Sequence, residues 1–393
     1  MKKILIMTGS LNVGGIEKAL VEMLKIIPYD KYSVDLVLEE PEGVYLEEVP
    51  KEVNIIENPT IADCLYKSRK LQIKVLIAKG KTISVARLLF ESLIFRLTDN
   101  RCRYFDWQCT RMDKISKEYD VAIAYHNPFR FPGHYIIRNV KAKKKILWNH
   151  TDLLYDKINY SGFGKLYDGY DSICSVSKAA SCSFEKIFPE LKDKTTVFYN
   201  VINREEISEK AEEFSVENKD NIPVLLTVGR ISPEKGQDRI PDIARIIKEK
   251  GFDFKWYVVG GGAGLDNIKE KVKEYDLTDN VILTGNKSNP YPYMKNCDIY
   301  VQTSWQEGFP MVIGEVLTFN KPCVVTDVGG TTEYFDASET VEMAKQNDDE
   351  SIAESIMKLL VDKDYYNRIK NNVSTMQAID YSNRFIELIE GEL

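Results

Sequence analysis

The chain has few of the residues that build disulfide frameworks and metal sites. Its 393 residues include seven cysteines, and no two of them are spaced C-x-x-C. A scattered, odd-numbered set excludes a disulfide scaffold and is typical of reduced thiols in the cytosol. There are only three histidines, His126, His134 and His150, and no histidine or cysteine shows a zinc-ligand spacing. We therefore expect a site that needs no metal and no other cofactor.

Long apolar runs and a surplus of positive charge are also absent. No stretch approaches the roughly 18–20 apolar residues that span a bilayer. The apolar run at residues 3–8 stops at Gly9, which is too short for a signal peptide and predicts a first strand. The net charge is −7, whereas a general nucleic-acid binder needs excess positive charge to neutralise phosphates. We expect a cytoplasmic protein that does not bind nucleic acid.

Strands and helices alternate regularly in both halves of the chain. Apolar runs of strand length occur at residues 3–8, 32–38, 121–125, 145–148 and 172–175, and again at 224–228, 255–259, 281–284, 299–302 and 323–326. Helical patterns lie among them at residues 15–27, 241–250, 265–275 and 310–319. Strands that alternate with helices form parallel sheets covered on both faces. The predicted fold class is therefore α/β, with two Rossmann-like, doubly wound domains.

The length of the chain also predicts two domains, because one hydrophobic core seldom organises more than about 250–300 residues. We assign residues 1–200 to the first domain and residues 201–375 to the second. The polar, acidic stretch 204–221 is interpreted as a hinge region between them. A last helix, at 376–393, is expected to return to the first domain.

Residues 60–118 interrupt the alternation with a basic helical region. Ten basic and two acidic residues lie between positions 67 and 103, interleaved with large apolar residues. A basic amphipathic helix suits an anionic membrane surface. The alternative is a helical pair that packs its apolar face on its own domain. The sequence leaves both interpretations open and favours the membrane.

The most specific polar pattern is EGFPMVIGE, which runs from Glu307 to Glu315 between a strand and a helix. Pro310 suits the first helical position, and the N–H groups around Met311 and Val312 then predict an anion site fit for a diphosphate. The two carboxylates bracket this site, where they can accept hydroxyls from both ends of a sugar nucleotide. The alternative is an amphipathic helix with two chance acidic residues.

Two further loops follow predicted strands. Arg230 and Lys235 come after Gly229, and their cations suit phosphate oxygens unless the loop is merely solvated. The pair Gly14-Gly15 opens the first helix and can accept a phosphate or a sugar, although its spacing is not the G-x-G-x-x-G fingerprint.

Histidines follow two other strands of the first half. His150 and Asp152 come after strand 145–148, and His126 comes after strand 121–125. Ligands of parallel sheets collect at these strand ends, so we predict the three residues on the acceptor side of a site. A purely structural role for each histidine is the alternative.

These segments resemble the family-4 retaining glycosyltransferases of the GT-B fold, in which two Rossmann-like domains face a central cleft. The resemblance is close over residues 224–335 and weak over 60–118. It is carried by GGIE at 14–17, GRISPEKG at 229–236, EGFPMVIGE at 307–315 and DVGGTTE at 327–333. The chain departs from the family pattern at Asn200-Val201 and at residues 319–322.

The resemblance implies a role for each matching residue. Arg230 and Lys235 grip the diphosphate, Glu307 holds hydroxyls of the donor sugar, Glu315 takes the ribose hydroxyls, and His150 faces donor sugar and acceptor. The further donor contacts that it implies are Gly14, Gly15, Gly229, Gly260, Asn286, Lys287, Gly308, Phe309, Pro310, Met311 and Val312. It also implies retention without a metal, with the leaving diphosphate oxygen helping to deprotonate the incoming hydroxyl. The expected catalytic group is Glu307, His150, Arg230 and Lys235.

We therefore expect a peripheral enzyme on the inner face of a bacterial membrane. It would move a hexose or an N-acetylhexosamine from a UDP-sugar to a lipid-linked saccharide in surface polysaccharide synthesis. A GDP-mannose-dependent mannosyltransferase is one alternative. A non-catalytic partner subunit is another, but it would be favoured only if Glu307, Arg230 or Lys235 were missing. A nicotinamide-dependent oxidoreductase would need a dinucleotide fingerprint, which the sequence lacks.

Overall fold

The computed structural model describes the chain apart from residues 79, 81, 156–157, 217–221, 336–339, 375–380 and 392–393. It divides into two compact units, the first comprising Met1–Val201 with Asp380–Leu393 and the second comprising Ile202–Ile379. Each unit has its own parallel sheet and its own hydrophobic core. Within the described residues, no helix has the length and apolar character to cross a membrane.

The first unit contains a seven-stranded sheet in which all neighbouring strands are parallel. Its strands are β1 (Lys2–Thr8), β2 (Tyr32–Leu38), β3 (Asn54–Ile56), β4 (Ile115–Ala124), β5 (Val140–Asn149), β6 (Ser172–Ser175) and β7 (Thr195–Val197). Their spatial order is β3-β2-β1-β4-β5-β6-β7, so the order reverses between β1 and β4. In doubly wound sheets, ligands bind beyond the carboxyl ends of the strands that flank such a reversal.

The first unit combines a buried central strand with the expected basic helical region. Five consecutive residues of β1, from Ile4 to Thr8, are buried, as expected for a strand covered on both faces. Four consecutive helices form the expected basic helical region, of which Lys79 and Lys81 lie outside the described residues. The helices of this unit that precede the second unit in the chain are α1 (Gly15–Lys25), α2 (Pro59–Leu65), α3 (Arg69–Ala78), α4 (Thr82–Thr98), α5 (Arg101–Cys109), α6 (Phe131–Asn139), α7 (Phe163–Tyr167) and α8 (Lys178–Ile187).

The second unit repeats the scheme with six parallel strands. They are β8 (Val224–Val228), β9 (Lys255–Val259), β10 (Val281–Gly285), β11 (Ile299–Gln302), β12 (Cys323–Thr326) and β13 (Glu342–Ala344). The spatial order is β10-β9-β8-β11-β12-β13, and it reverses between β8 and β11. The loops after β8 and β11 are therefore the ones in which a ligand site is expected.

The helices of the second unit are α9 (Arg204–Lys210), α10 (Ile240–Glu249), α11 (Leu265–Glu274), α12 (Tyr291–Asn296), α13 (Met311–Leu317), α14 (Asp349–Val361) and α15 (Lys363–Ser374). Helix α10 shows why these segments form where they do. Ile240, Ile243, Ala244 and Ile247 occupy one helical stripe and are fully buried. The helix ends just before Gly251, whose φ of 84° is a conformation that glycine adopts easily.

The expected fold class is confirmed, and the differences lie in short elements. Strands β3, β7 and β13 were not predicted from the sequence, because three residues are too few to show a periodicity. Residues 115–118 were expected in the basic helical region but form the start of β4. Helix α1 ends at Lys25, before the expected position 27, and α13 is shorter than the predicted helix 310–319 at both ends.

The prediction of a hinge over residues 204–221 is wrong for its described part. Arg204–Lys210 forms α9, with Asn203 accepting a hydrogen bond from the backbone N–H of Glu206 at 3.2 Å as its cap. Ile207 and Ala211 are buried in the core of the second unit. Two apolar residues on one helical face pack this acidic segment on the second unit, and Asn289 donates to the carbonyl of Lys210 at 2.7 Å, whereas average composition suggested a linker. Residues 217–221 lie outside the described part of the chain.

The last described helix, α16 (Tyr381–Glu390), belongs to the first unit. Phe385 is fully buried and meets the ring of Tyr32 edge-on, with 6.2 Å between centroids. The Tyr32 hydroxyl donates to Oε1 of Glu390 at 3.0 Å, and Nη2 of Arg384 donates to the carbonyl of Val197 at 2.8 Å. The terminal segment therefore contributes a buried ring and polar contacts to the first unit.

Replacing the ring of Phe385 should destabilise the first unit selectively. We expect Phe385→Ala to lower its free energy of unfolding by about 3–5 kcal/mol, because truncation removes buried apolar surface and leaves a cavity. Hydrogen exchange measured by mass spectrometry should show faster exchange in the first unit and little change in the second. The control is Val361→Ala, at an exposed position of α14. Unchanged exchange in the first unit of Phe385→Ala would contradict the packing of α16.

Candidate functional site

Two charged side chains meet in the loops that flank the reversal of the second sheet. Lys235 lies in the loop after β8, in a short 3₁₀ turn, and Glu307 lies in the loop after β11. The Nζ atom of Lys235 is 2.7 Å from Oε1 and 2.7 Å from Oε2 of Glu307. The sequence predicted both residues at a site. The structure places them together as a bidentate ion pair at the sheet edge where ligands bind.

The carboxylate of Glu307 is fixed by more than its lysine partner. It is only 7% exposed, and its Oε1 accepts hydrogen bonds from Oγ of Ser304 at 2.7 Å and from Nε2 of Gln302 at 3.3 Å. Its carbonyl oxygen lies so close to Gly329 that a Cβ there would sit 1.7 Å from it, and the φ of Gly329 is 50°. Backbone packing and side-chain donors thus hold this carboxylate in one position.

The loop that carries Lys235 is joined to the Glu307 loop through the backbone. Oγ1 of Thr303 donates to the carbonyl of Lys235 at 3.2 Å, and the N–H of Trp305 donates to the carbonyl of Glu234 at 2.9 Å. Gly236 follows with a φ of 63°, and a Cβ there would lie 2.2 Å from the carbonyl oxygen of Thr303. A larger residue at position 236 would push the two loops apart, so glycine is required for this contact.

Arg230, the other predicted phosphate-binding cation, is far more exposed and has a different partner. Its Nη2 is 3.0 Å from Oε1 of Glu234, to which Oγ of Ser232 also donates at 2.6 Å. Burial raises the pKa of Glu234, but the hydrogen bonds from Ser232 and Arg230 and the arginine charge lower it overall. Among the described residues, no hydrogen bond or ion pair joins Arg230 to Glu307.

Three residues predicted to contact the donor, Gly229, Gly260 and Asn286, lie where strands β8, β9 and β10 end. The N–H of Gly229 donates to the carbonyl of Val259, and that of Gly260 donates to the carbonyl of Gly285, both at 2.9 Å. A Cβ on Gly260 would be 1.9 Å from the carbonyl oxygen of Gly229, so the two loops touch through their backbones. Asn286 lies over the next residue, Gly261, while Lys287 is exposed.

Helix α13 begins one residue later than predicted. Pro310 is its N-cap residue with a ψ of 105°, so Met311 takes the first helical position and Val312 follows. Proline has no side-chain oxygen with which to cap the first turn. Glu315 is buried on the same helix, and both Glu307 and Glu315 lie near enough to Tyr300 to raise the pKa of its hydroxyl, after the larger effect of burial. The two glutamates therefore both lie near Tyr300, one before α13 and the other within it.

Phe309 closes the loop before α13, where its ring stacks on that of Tyr334 with 4.1 Å between centroids and 17° between planes. The N–H of Gly330 donates to the carbonyl of Gly308 at 3.1 Å. The segment that resembled the family at 327–333 thus supports the backbone around Gly308 and Phe309 from a separate stretch of chain.

In the first unit, His126 and His150 lie at the carboxyl ends of the adjacent strands β4 and β5. Nδ1 of His126 accepts the N–H of Asn127 at 2.7 Å, and a Cβ on Gly9 would lie 3.5 Å from the His126 ring. The ring of His150 meets that of Tyr125 at 4.7 Å between centroids. Both histidines therefore stand beside the reversal of the first sheet.

Both imidazoles are held neutral at neutral pH. Burial lowers the pKa of His126 to about 4, assisted by the charge of Arg130. Burial also lowers the pKa of His150 well below its usual value, with a further contribution from His126. Asp152 is buried nearby in sequence, where its Oδ1 accepts the N–H of Leu154 at 3.0 Å. The three predicted acceptor-side residues thus include two neutral rings and a carboxylate that caps its own loop.

The glycine pair of the first loop has one crowded and one open member. Gly14 is the N-cap residue of α1, and a Cβ on it would lie 2.0 Å from Oε2 of Glu17. Gly15, the first residue of the helix, has no atom within 4 Å of the position that its Cβ would take. The first turn of α1 is therefore partly shielded by Glu17.

A group of possible metal ligands lies elsewhere in the first unit. Cys102, Asp106 and His134 each place a ligand atom within 4.8 Å of the others. The guanidinium of Arg138 already occupies both carboxylate oxygens of Asp106, at 3.1 and 2.6 Å. A cation would have to displace that arginine, so these residues do not fit a metal site.

The side chains that hydrogen-bond to Glu307 and Arg230 were not predicted from the sequence. Ser304 and Gln302 precede Glu307 by a few positions but carry no pattern that marks them as its donors. Glu234 was seen only as part of a basic loop, although it neutralises Arg230. A carboxylate among predicted phosphate-binding cations is the one signal that could have suggested such pairing.

Comparisons with known proteins find a family match within the second unit. Residues 208–376 match the family model for glycosyl transferases group 1. An uncharacterized glycosyltransferase of Methanocaldococcus jannaschii is 27% identical over 195 residues, which are 47% of this chain and 48% of that protein. The N-acetylgalactosamine-N,N'-diacetylbacillosaminyl-diphospho-undecaprenol 4-alpha-N-acetylgalactosaminyltransferase of Campylobacter jejuni subsp. jejuni is 28% identical over 232 residues, 58% of this chain and 62% of that protein.

The matches to these relatives span about half to two thirds of their length. Among solved structures, the Anabaena protein HepE in complex with UDP has a TM-score of 0.70 at 17% identity, covering 100% of both chains. That likeness shows the fold alone. The chain therefore has two Rossmann-like parallel-sheet domains, as HepE does, and its residues 208–376 carry the sequence pattern of glycosyl transferases group 1.

Proposed function

We propose that the chain is a retaining, metal-independent glycosyltransferase that moves a hexose or an N-acetylhexosamine from a UDP-sugar to a lipid-linked saccharide. It would act at the inner face of the membrane in bacterial surface polysaccharide synthesis. The family match over residues 208–376 supports the reaction class. The complex of HepE with UDP supports the nucleotide, and the diphospho-undecaprenol saccharide in the name of the Campylobacter relative supports the acceptor class.

The ion pair between Lys235 and Glu307 is the observation that carries this proposal. Removing a carboxylate and an ammonium from water costs several kcal/mol per ion, and a pair of apolar residues would fill the same space at no such cost. Here the pair lies at the strand-order reversal, where a ligand can use both charges. A carboxylate accepts sugar hydroxyls and an ammonium donates to phosphate oxygens, so the pair suits a molecule that contains both.

The proposed mechanism assigns separate tasks to the residues of the second unit. Glu307, oriented by Ser304, accepts hydroxyls of the donor sugar and fixes its position. Lys235 donates two of its three N–H bonds to Glu307, and we assign the third, with Arg230, to the diphosphate. Positive charge there stabilises the negative charge that develops as the sugar departs, which is the role a metal ion has in other enzymes.

Retention follows in this proposal if the incoming hydroxyl attacks from the face that the diphosphate leaves. The departing diphosphate oxygen then accepts the proton of that hydroxyl. The N–H groups of Met311 and Val312 and the carboxylate of Glu315 are assigned to the diphosphate and the ribose. In the first unit we assign acceptor recognition to His126, His150 and Asp152, whose neutral rings suit uncharged hydroxyls.

Removing either member of the ion pair should reduce turnover while the fold survives. We expect Glu307→Ala and Lys235→Ala each to lower the rate of donor hydrolysis by at least about tenfold, a loss of roughly 1.4 kcal/mol of transition-state stabilisation. The rate is measured as UDP released from UDP-sugars without acceptor, with circular dichroism to verify folding. Glu354→Ala, at an exposed position of α14, is the control and should keep the wild-type rate. Near-normal hydrolysis in either site variant would refute the assignment.

The nucleotide can be identified by thermal stability. UDP should raise the melting temperature of the protein more than GDP does, because a ligand that binds only the folded state stabilises it by about 2.7 kcal/mol at a hundred times its Kd. The shift should be smaller in Lys235→Ala. A larger shift with GDP would favour a mannosyltransferase that uses GDP-mannose. A UDP shift without hydrolysis of any UDP-sugar would favour a non-catalytic subunit, and no shift with either nucleotide would oppose both.

A further inference from the structure

Exposed apolar side chains are concentrated in one short part of the first unit. Of the 16 large hydrophobic residues that are exposed among the described positions, eight lie between Tyr66 and Leu97. Single exposed apolar residues are ordinary on a protein surface, but a cluster within one segment marks an interaction site. This segment comprises the end of α2 and helices α3 and α4.

Helix α4 is oriented with its apolar side outward. Its exposed residues include Ile83, Ala86, Phe90, Leu93 and Leu97, which recur at alternating steps of three and four and therefore form one stripe. The opposite side faces the protein, and its buried residues are Leu88, Glu91 and Ser92. A surface helix normally buries its apolar stripe and exposes its charged residues. Helix α4 instead exposes its apolar stripe together with Arg87 and Arg96, and buries Glu91.

Contacts with α5 hold this orientation. Nε and Nη2 of Arg103 donate to Oε2 and Oε1 of Glu91 at 3.0 and 3.1 Å. The ring of Phe95 stacks on that of Tyr104, with 4.7 Å between centroids. Both partners lie on α5 and both α4 residues lie on the inward side. A bidentate pair of this kind fixes direction as well as distance, so it sets the rotation of α4 about its own axis.

The charges around the stripe select its partner. The described charged residues of α3 and α4 are Arg69, Lys70, Lys74, Arg87 and Arg96, all exposed, and the buried Glu91. A second copy of the same face would bring these cations against each other, because a two-fold interface pairs a surface with itself. An anionic bilayer instead offers phosphate headgroups to the cations and an apolar layer beneath them to the stripe.

We propose that α4 lies flat on an anionic bilayer with Phe90, Leu93 and Leu97 inserted below the headgroups, and that the Glu91–Arg103 ion pair is the lock that turns this stripe outward. This inference names the surface to which the proposed enzyme binds. It rests on the proposed function only in explaining why the enzyme is at a membrane. Because the Glu91–Arg103 ion pair is part of the folded unit, the stripe faces outward before the protein meets a membrane. Insertion accordingly needs no refolding of α4.

Insertion can be measured with tryptophan in place of a stripe residue. Phe90→Trp should show a blue-shifted emission on anionic vesicles of phosphatidylcholine and phosphatidylglycerol, and strong quenching when the acyl chains are brominated. The matched control is Val361→Trp, at an exposed position of the second unit, which should show neither change. Quenching that is equal at positions 90 and 361 would overturn insertion.

Charge and apolar contributions can be separated with two further variants. Leu93→Asp should lower the fraction of protein that sediments with these vesicles by at least about tenfold, and should do so at any salt concentration. Arg87→Glu with Arg96→Glu should weaken sedimentation mainly at low salt, because salt screens the headgroup charge in the wild type. Salt-indifferent binding by the wild type, binding by Leu93→Asp at the wild-type level, or a concentration-dependent dimer that Leu93→Asp abolishes would each overturn the proposal.

The lock is tested in the Phe90→Trp background. Arg103→Gln, at a half-exposed position, and Glu91→Ala should each reduce quenching by brominated lipid several-fold, since α4 is then free to rotate. Glu91→Gln keeps an acceptor for Arg103 and should retain part of the quenching. The UDP thermal shift should be unchanged in all three, which separates a change in rotation from loss of the fold. If Arg103→Gln leaves the quenching seen with Phe90→Trp alone unchanged, the ion pair does not set the rotation of α4.

The outcomes for the membrane and for the reaction are distinguishable. Hydrolysis of a UDP-sugar needs no membrane, so intact hydrolysis with absent insertion would overturn this inference alone. Insertion without hydrolysis of any UDP-sugar would instead overturn the proposed reaction and leave α4 as a membrane-binding element.

Discussion

The pairing of Lys235 with Glu307 is the constraint on which the second unit is built. Two loops from different strands must approach closely enough for one ammonium to contact both oxygens of a buried carboxylate. Gly236 leaves the loop after β8 room beside the carbonyl oxygen of Thr303, and Gly329, in the segment after β12, leaves room beside the carbonyl oxygen of Glu307. Breaking one side of such a pair leaves a buried charge without a partner, which costs about 3–5 kcal/mol in proteins. The glycines and the charges therefore depend on each other.

The two partners are not equally sensitive to that cost. Glu307 is buried and would keep only the hydrogen bonds from Ser304 and Gln302 if the lysine were lost. Lys235 keeps 29% of its side chain exposed and can be rehydrated in place. The lysine therefore has more freedom to change partner than the glutamate, as a residue that binds both a carboxylate and an incoming phosphate would need. The glutamate, in contrast, is a fixed acceptor.

Much of the fold and part of the site could be predicted from the sequence. The strands were found because they are buried on both faces and are therefore continuous apolar runs, and topology then brings the loops after β8 and β11 to one edge. The partners of each side chain could not be found in this way. Lys235 and Arg230 were both assigned to phosphate, yet each has a glutamate partner, because pairing depends on distances between loops that lie far apart in sequence. The position of a residue at a strand end can be inferred from its neighbours in sequence, whereas the partner of its side chain cannot.

The same distinction explains the errors and open alternatives at the surface. Composition suggested a hinge where Ile207 and Ala211 hold α9 on the second unit, since two buried residues have little influence on an average. For the basic helical region, composition gave an amphipathic helix but not the direction of its apolar side. In the structure the apolar side faces outward, and Glu91 on the opposite side of α4 pairs with Arg103. Single buried contacts of this kind carry more information than the pattern around them.

The two sheets repeat one topology, and yet the electrostatic character of their edges differs. Beside the reversal of the first sheet lie His126 and His150, whose pKa values are lowered by burial so that both rings are neutral at neutral pH. Beside the reversal of the second sheet lies a buried ion pair. A buried neutral ring carries no charge that needs a partner, whereas each ion of a buried pair is costly unless its partner is in place. The shared topology thus places neutral rings at strand ends of the first sheet and an ion pair at strand ends of the second, and the proposed acceptor and donor roles rest on that difference.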